Sequence, residues 1–137
     1  MADMKLNVSD VKSGKTKQIV LTADQSKAMI GKKIGEKFKG ELLDLTGYEL
    51  EITGGSDASG FPMRKDNPGV ARKKILVVSG VGAKPQRRGQ RQRKNVAGNT
   101  VYEKTAQINT KIVKAGKTDI FAEPVAEEAP AEEAKTE

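Results

Sequence analysis

Gly47-Tyr48-Glu49-Leu50-Glu51-Ile52-Thr53-Gly54-Gly55 is the stretch on which the fold turns. Tyr48, Leu50 and Ile52 alternate with Glu49 and Glu51, a period of two that puts apolar side chains on one face of a strand and carboxylates on the other. Glycines at 35, 40, 47, 54 and 55 cut the surrounding sequence into short apolar pieces, as expected of strands joined by tight turns. The pattern is β.

Working outward, residues 5–8 and 17–22 read as two strands around the polar turn Ser13-Gly14-Lys15, with Ile19 and Leu21 on one face. Asp24 is placed to cap a helical turn over 25–29 that Gly31 and Gly35 end. On the C-terminal side, 74–79 is a branched apolar run, and 107–114 alternates through Ile108, Thr110 and Ile112 before a turn at Ala115-Gly116. Many short strands with one or two short helical turns predict a mostly β domain over 1–121. Its sheet is expected to be small and closed or barrel-like, which would remove exposed edges. The remainder, 122–137, contains only Ala, Glu, Pro, Val, Lys and Thr, and is expected to be a disordered acidic tail.

The 137 residues suffice for one modest core, and the five aromatics, Phe38, Tyr48, Phe61, Tyr102 and Phe121, leave Val, Ile and Leu to fill it. Cysteine and histidine are both absent, which removes disulfides, thiolate catalysis, the commonest general base and the commonest metal ligands. No apolar run approaches the roughly 20 residues that cross a bilayer, and residues 1–10 lack a signal-peptide core. The expectation is a cytoplasmic, non-enzymatic chain with no cofactor, no metal, no membrane partner and no small-molecule substrate, monomeric when isolated.

Charge is segregated. Residues 1–63 carry 9 Lys and 9 acids, whereas 64–94 carry 11 Lys or Arg and a single acid; the tail holds 6 acids and one Lys. A solubilising surface would scatter both signs, so a net +10 over 31 residues points to a polyanionic partner. Its densest part, 84–94, sets Lys84, Arg87, Arg88, Arg91, Arg93 and Lys94 in eleven residues without an acid. Pro85 and Gly89 disfavour a helix, so this part reads as a long, extended basic loop or arm, ordered by phosphates, with Arg64, Lys65, Arg72, Lys73 and Lys74 as a second rank. A solvated charge run or targeting signal is the plainer alternative, against which its mid-domain position counts. No aromatic lies between Arg64 and Asn99, so the segment has no stacking platform of its own, and recognition by backbone and shape is expected. Neutralising roughly six phosphates predicts a log-log salt slope of about −4 to −5.

Residues 53–64 hold Gly54, Gly55, Asp57, Gly60, Phe61 and Pro62, read as a rigid structural loop. An equally weighted reading has its backbone N–H groups, or Ser56 and Ser59, touching phosphate. Ser79-Gly80-Val81-Gly82-Ala83-Lys84 has the start of a dinucleotide-binding turn, but Pro85 stands at the third glycine position and no apolar helix follows. Glu49 and Glu51 belong to the solvent face of a strand rather than to acid-base chemistry.

Taken together, Met4-Lys5-Leu6-Asn7, the stretch 47–64 with its Gly-Gly-Ser-Asp-x-x-Gly-Phe-Pro-Met core, the arginine arm, and Ala97-Gly98-Asn99-Thr100 ahead of Gln107-Ile108-Asn109-Thr110 resemble the small-subunit ribosomal protein numbered six of archaea and eukaryotes. The resemblance runs from Met4 to about Ile120. It implies a barrel-like domain bound to small-subunit ribosomal RNA beside neighbouring ribosomal proteins, without catalysis or cofactor. Eukaryotic relatives carry a long basic C-terminal helix with regulatory phosphorylation sites; here an acidic tail follows Phe121, as in a short archaeal form, so that regulation is not carried over. The expectation is a ribosome-associated structural constituent. A free RNA-binding or translation-associated factor that visits the ribosome is the alternative, and an enzyme built on Asp57 or Ser56 would require a pocket around them.

Overall fold

The computed structural model describes residues 4–117, 120 and 121; the tail 122–137 lies outside the described residues. The order of elements is β1 (Lys5–Ser9), β2 (Thr16–Val20), α1 (Ala23–Met29), β3 (Lys37–Lys39), a 3₁₀ turn (Gly40–Leu43), β4 (Glu49–Asp57), β5 (Lys73–Val77), β6 (Gln92–Val96) and β7 (Thr105–Lys114). The chain is mostly β, as the alternation at 48–52 implies.

Five strands form one sheet in the order β2-β1-β7-β4-β3, and β5 and β6 form a separate antiparallel pair. The sheet is open, which corrects the closed or barrel-like expectation. Short strands and glycine turns report β structure but not whether the first and last strands of a sheet meet, and here β2 and β3 each pair on one side only. Both edges are blunted locally: β3 is three residues long with Lys37 and Lys39 outward, and β2 opens with exposed Thr16, Lys17 and Gln18.

At the centre β7 pairs with β1 in parallel, Leu6 opposite Ile108, and with β4 antiparallel, Leu50 opposite Ile112. The inward row of Leu6, Val8, Leu50, Ile52 and Ile108 is fully buried and meets Met29 of α1, Phe38, Leu43, Tyr48, Met63 and Val101. The core is largely aliphatic, as five aromatics require. The opposite face is polar, with Glu51 and Glu49 paired to Lys111 and Lys114 at 3.3 and 3.7 Å.

Three local expectations change. The N-cap of α1 is Thr22, not Asp24: Gln25, three residues on, reaches back to accept the Thr22 N–H at 3.1 Å, and Asp24 falls in the first turn. The stretch 53–57, read as loop, continues β4 through two register shifts, so the turn proper starts at Ala58. Gly55 allows this, since a Cβ there would strike the Gln107 backbone carbonyl of β7. Finally, the basic arm is not a loop throughout, because Gln92, Arg93 and Lys94 lie in β6 and are paired with β5.

Candidate nucleic-acid interface

The branched run in Lys73–Val77 makes β5, and its only sheet partner among the described residues is β6, in the register Lys73 to Val96, Ile75 to Lys94 and Val77 to Gln92. Side chains directly opposite share a face. One face therefore carries Val77 and Val96, both buried, and seats the hairpin on the body through Pro62 and Gly82. The other carries Lys74, Leu76, Arg93 and Asn95, with Leu76 57% exposed. A two-stranded ribbon covers only one face, so this apolar run does not become core.

The connection from β5 to β6 is held by the chain's own polar groups. Arg64 donates from Nη1 to the Val81 carbonyl at 2.8 Å and from Nε to Asp66 at 2.9 Å. Gln92 brackets Lys84, donating to its carbonyl at 3.0 Å and accepting its N–H at 3.4 Å, and the Gln90 side chain accepts the Gln86 N–H at 2.7 Å. These glutamines, set between the arginines, are the braces that a reading for charge alone passes over. Ser79–Ala83 is a turn in which Gly80 and Gly82 have φ of +93° and +83°, and β6 rather than a nucleotide-binding helix follows.

All six arm cations, Lys84, Arg87, Arg88, Arg91, Arg93 and Lys94, are exposed, and so are Lys65, Lys73 and Lys74. Among the described residues none of these nine forms an ion pair. The other two predicted cations are engaged inside the protein. Arg64 is the brace just described. Arg72 donates from Nε to Asp57 Oδ2 at 2.6 Å and from Nη2 to Ser59 Oγ at 2.8 Å, and its guanidinium lies 5.0 Å from the centre of the Phe61 ring.

Asp57 is the hub of the 58–62 turn. Its side chain is fully buried, and Tyr102 Oη donates to the same Oδ2 at 2.7 Å, while Oδ1 is buried with no hydrogen-bond partner among the described residues. Burial pushes its carboxyl up, but the hydrogen bonds from Arg72 and Tyr102 outweigh that and hold it below the ordinary 3.8. Tyr102 is raised in turn, by burial and by its bond to Asp57. The Asp57 backbone completes the turn, its N–H bonded to the Phe61 carbonyl at 2.9 Å and its carbonyl to the Gly60 N–H at 2.8 Å. Ala97-Gly98-Asn99-Thr100 clasps the neighbouring loop: the Asn99 side chain accepts the Gly69 N–H, and a Cβ on Gly98 would collide with the Gly69 carbonyl.

The two features that look separate in sequence share one open groove of about 650 Å³. Gly60, Phe61, Pro62 and Gly82 line one part of it, and Lys74, Lys84, Arg93, Lys94 and Asn95 the rest. Asp57 and Ser56 do not line it, and Asp57 is committed to Arg72 and Tyr102. The arrangement offers a cationic surface on a braced hairpin.

Comparison with known proteins identifies the family. The family model described as ribosomal protein S6e matches residues 4–123. Relatives named small ribosomal subunit protein eS6 include one from Archaeoglobus fulgidus, 43% identical over 86% of this chain and 92% of its own. Another, from Methanosphaera stadtmanae, is 47% identical over 82% and 89%, and one from Methanocaldococcus jannaschii is 45% identical over 88% and 89%. These are named as ribosomal proteins, a structural rather than a catalytic family. With the model spanning the whole described fold and both the turn at Asp57 and the basic hairpin inside the match, the chain belongs to the ribosomal protein S6e family.

Proposed function

We propose that this protein is a structural constituent of the small ribosomal subunit that binds ribosomal RNA through the 84–94 hairpin loop and stabilises the folded RNA, in support of translation in the cytoplasm. The observation that carries the proposal is the set of exposed, unpaired cations on a hairpin whose main chain is braced by Arg64, Gln90 and Gln92. Six like charges held this close repel one another, and a polyanion relieves the repulsion while releasing its own counterions. Lys84, Arg87, Arg88, Arg91, Arg93 and Lys94 are the primary phosphate contacts, and Lys65, Lys73 and Lys74 a second set. Arg64 and Arg72 act mainly by holding the loops that present them. Ribosomal RNA and neighbouring ribosomal proteins are the partners, and no small-molecule substrate or cofactor takes part.

The test is co-sedimentation of tagged protein with small ribosomal subunits through a salt series, beside a variant with Arg87, Arg88, Arg91 and Arg93 changed to Ala. Near one copy per subunit for the wild type, with marked loss in the variant, is the expected result. Absence from subunits at moderate salt would instead support a transient, translation-associated factor.

A further inference from the structure

The groove between the 58–62 turn and the β5–β6 hairpin differs chemically from the rest of the basic surface. Elsewhere the cations stand alone, suited to phosphates on any helix. Here Phe61 and Pro62 line the same cavity as Lys74, Lys84, Arg93, Lys94 and Asn95. The sequence shows no aromatic from 65 to 98, and it is the fold that brings Phe61 to the hairpin.

Phe61 is also unusually well fixed. Arg72 lies 5.0 Å from its ring centre and is itself locked to buried Asp57, and the Phe61 carbonyl accepts the Asp57 N–H. The Lys84 main chain is fixed by Gln92, and Gly82 brings the hairpin close enough that a Cβ there would lie 3.5 Å from Pro62 and 3.3 Å from Val96. The open groove of about 650 Å³, with Phe61 and Pro62 on one side and four cations and an amide residue on the other, lies in the size range of small-ligand sites. Phosphates alone would need no aromatic wall.

We infer that this groove receives one unpaired nucleotide of the bound RNA, its base against Phe61 and Pro62, its flanking phosphates on Lys74, Lys84, Arg93 and Lys94, and a base edge within reach of Asn95. The inference rests on the RNA-binding reading above and adds to it a preference for single-stranded or bulged RNA, because a base inside a duplex is stacked on its neighbours and has no face free for an aromatic.

The experiment compares a fluorescein-labelled 12-nucleotide single-stranded RNA with a 12-base-pair RNA duplex, by anisotropy at matched salt, using full-length wild type and Phe61→Leu. Loss of the stacking ring is expected to weaken single-strand binding about tenfold, with duplex binding changed less than about twofold. A second measurement needs no variant: an oligonucleotide carrying a single 2-aminopurine loses fluorescence when that base stacks, and binding to the wild type should quench it. Equal losses for both RNAs in Phe61→Leu, or binding without quenching, overturns the nucleotide site and leaves the RNA-binding hairpin standing. Failure of the wild type to bind either RNA at low salt overturns both.

Discussion

Replacing Arg72 with Ala should destabilise the protein and reverse the sign of the Asp57 contribution to its pH dependence below neutrality. Asp57 is fully buried, and its side-chain partners among the described residues, Arg72 Nε at 2.6 Å and Tyr102 Oη at 2.7 Å, both meet Oδ2. Without Arg72 a buried carboxylate keeps one phenol hydroxyl, and Phe61 loses the guanidinium beside its ring. Breaking a buried ion pair typically costs 3–5 kcal/mol, but Arg72 is 39% exposed and partly screened by water, so about 2–3 kcal/mol is expected here. For a domain of this size that is a drop of about 10 °C in Tm. The pH argument runs through proton linkage. In the wild type Asp57 is held below 3.8, so its contribution to stability is present above that value and fades as pH falls through the lower, folded-state value. In the variant, burial is opposed only by the hydrogen bonds from Tyr102 and the Ala58 backbone, and the carboxyl is expected to move above its unfolded value. Folding then takes up a proton, and stability falls as pH rises through the window between the two. Asp10 and Glu36, which are also lowered by hydrogen bonds from the Ser13 and Lys33 regions respectively, are common to both proteins and cancel in the difference. Urea unfolding of wild type and Arg72→Ala from pH 3 to 7 provides the measurement. A loss under about 0.5 kcal/mol with parallel pH curves would refute the account of Asp57 as a hub.

Three further outcomes are expected. Gly98→Ala places a Cβ against the Gly69 carbonyl, where backbone rather than a flexible side chain must yield, and should cost about 3 kcal/mol in urea unfolding; a change within about 0.5 kcal/mol would contradict the close approach. Leu76→Thr, on the exposed face of β5, should change stability by less than about 0.5 kcal/mol, whereas Leu50→Ala, at 0% exposure, should cost about 3 kcal/mol, and similar losses for the two would mean that the hairpin contributes to the core. Changing Arg87, Arg88, Arg91 and Arg93 together to Ala should flatten the log-log salt dependence of RNA binding by about 3, while Arg64→Gln lowers Tm and leaves that slope intact; a slope that shifts with Arg64 would make it a phosphate contact rather than a brace.

Much of the candidate site is legible in the sequence. Charge segregation alone marks 84–94, because clustering of like charge is visible in one dimension, and the described members of that cluster are indeed exposed. The roles of Arg64 and Arg72 were not legible in the same way. An arginine beside a basic arm reads as one more phosphate contact until the fold shows Asp57 at 2.6 Å from Arg72, or the Val81 carbonyl at 2.8 Å from Arg64. Gln90 and Gln92 carry no charge signal, and their function as main-chain braces depends on a turn that sequence periodicity does not describe.

The sequence by itself determined the β character, the aliphatic core, the absence of histidine and cysteine chemistry, the position of the basic segment and the kinship to ribosomal proteins. All of these follow from local period, composition or a continuous motif. Only the tertiary structure decided that the sheet stays open, that β1 and β7, a hundred residues apart, pair in parallel, and that Phe61 stands in a groove with Lys74 and Arg93. Those facts depend on which backbone edges find each other across long loops. Short-range alternation says which face of a strand is apolar, but not which strand will lie beside it.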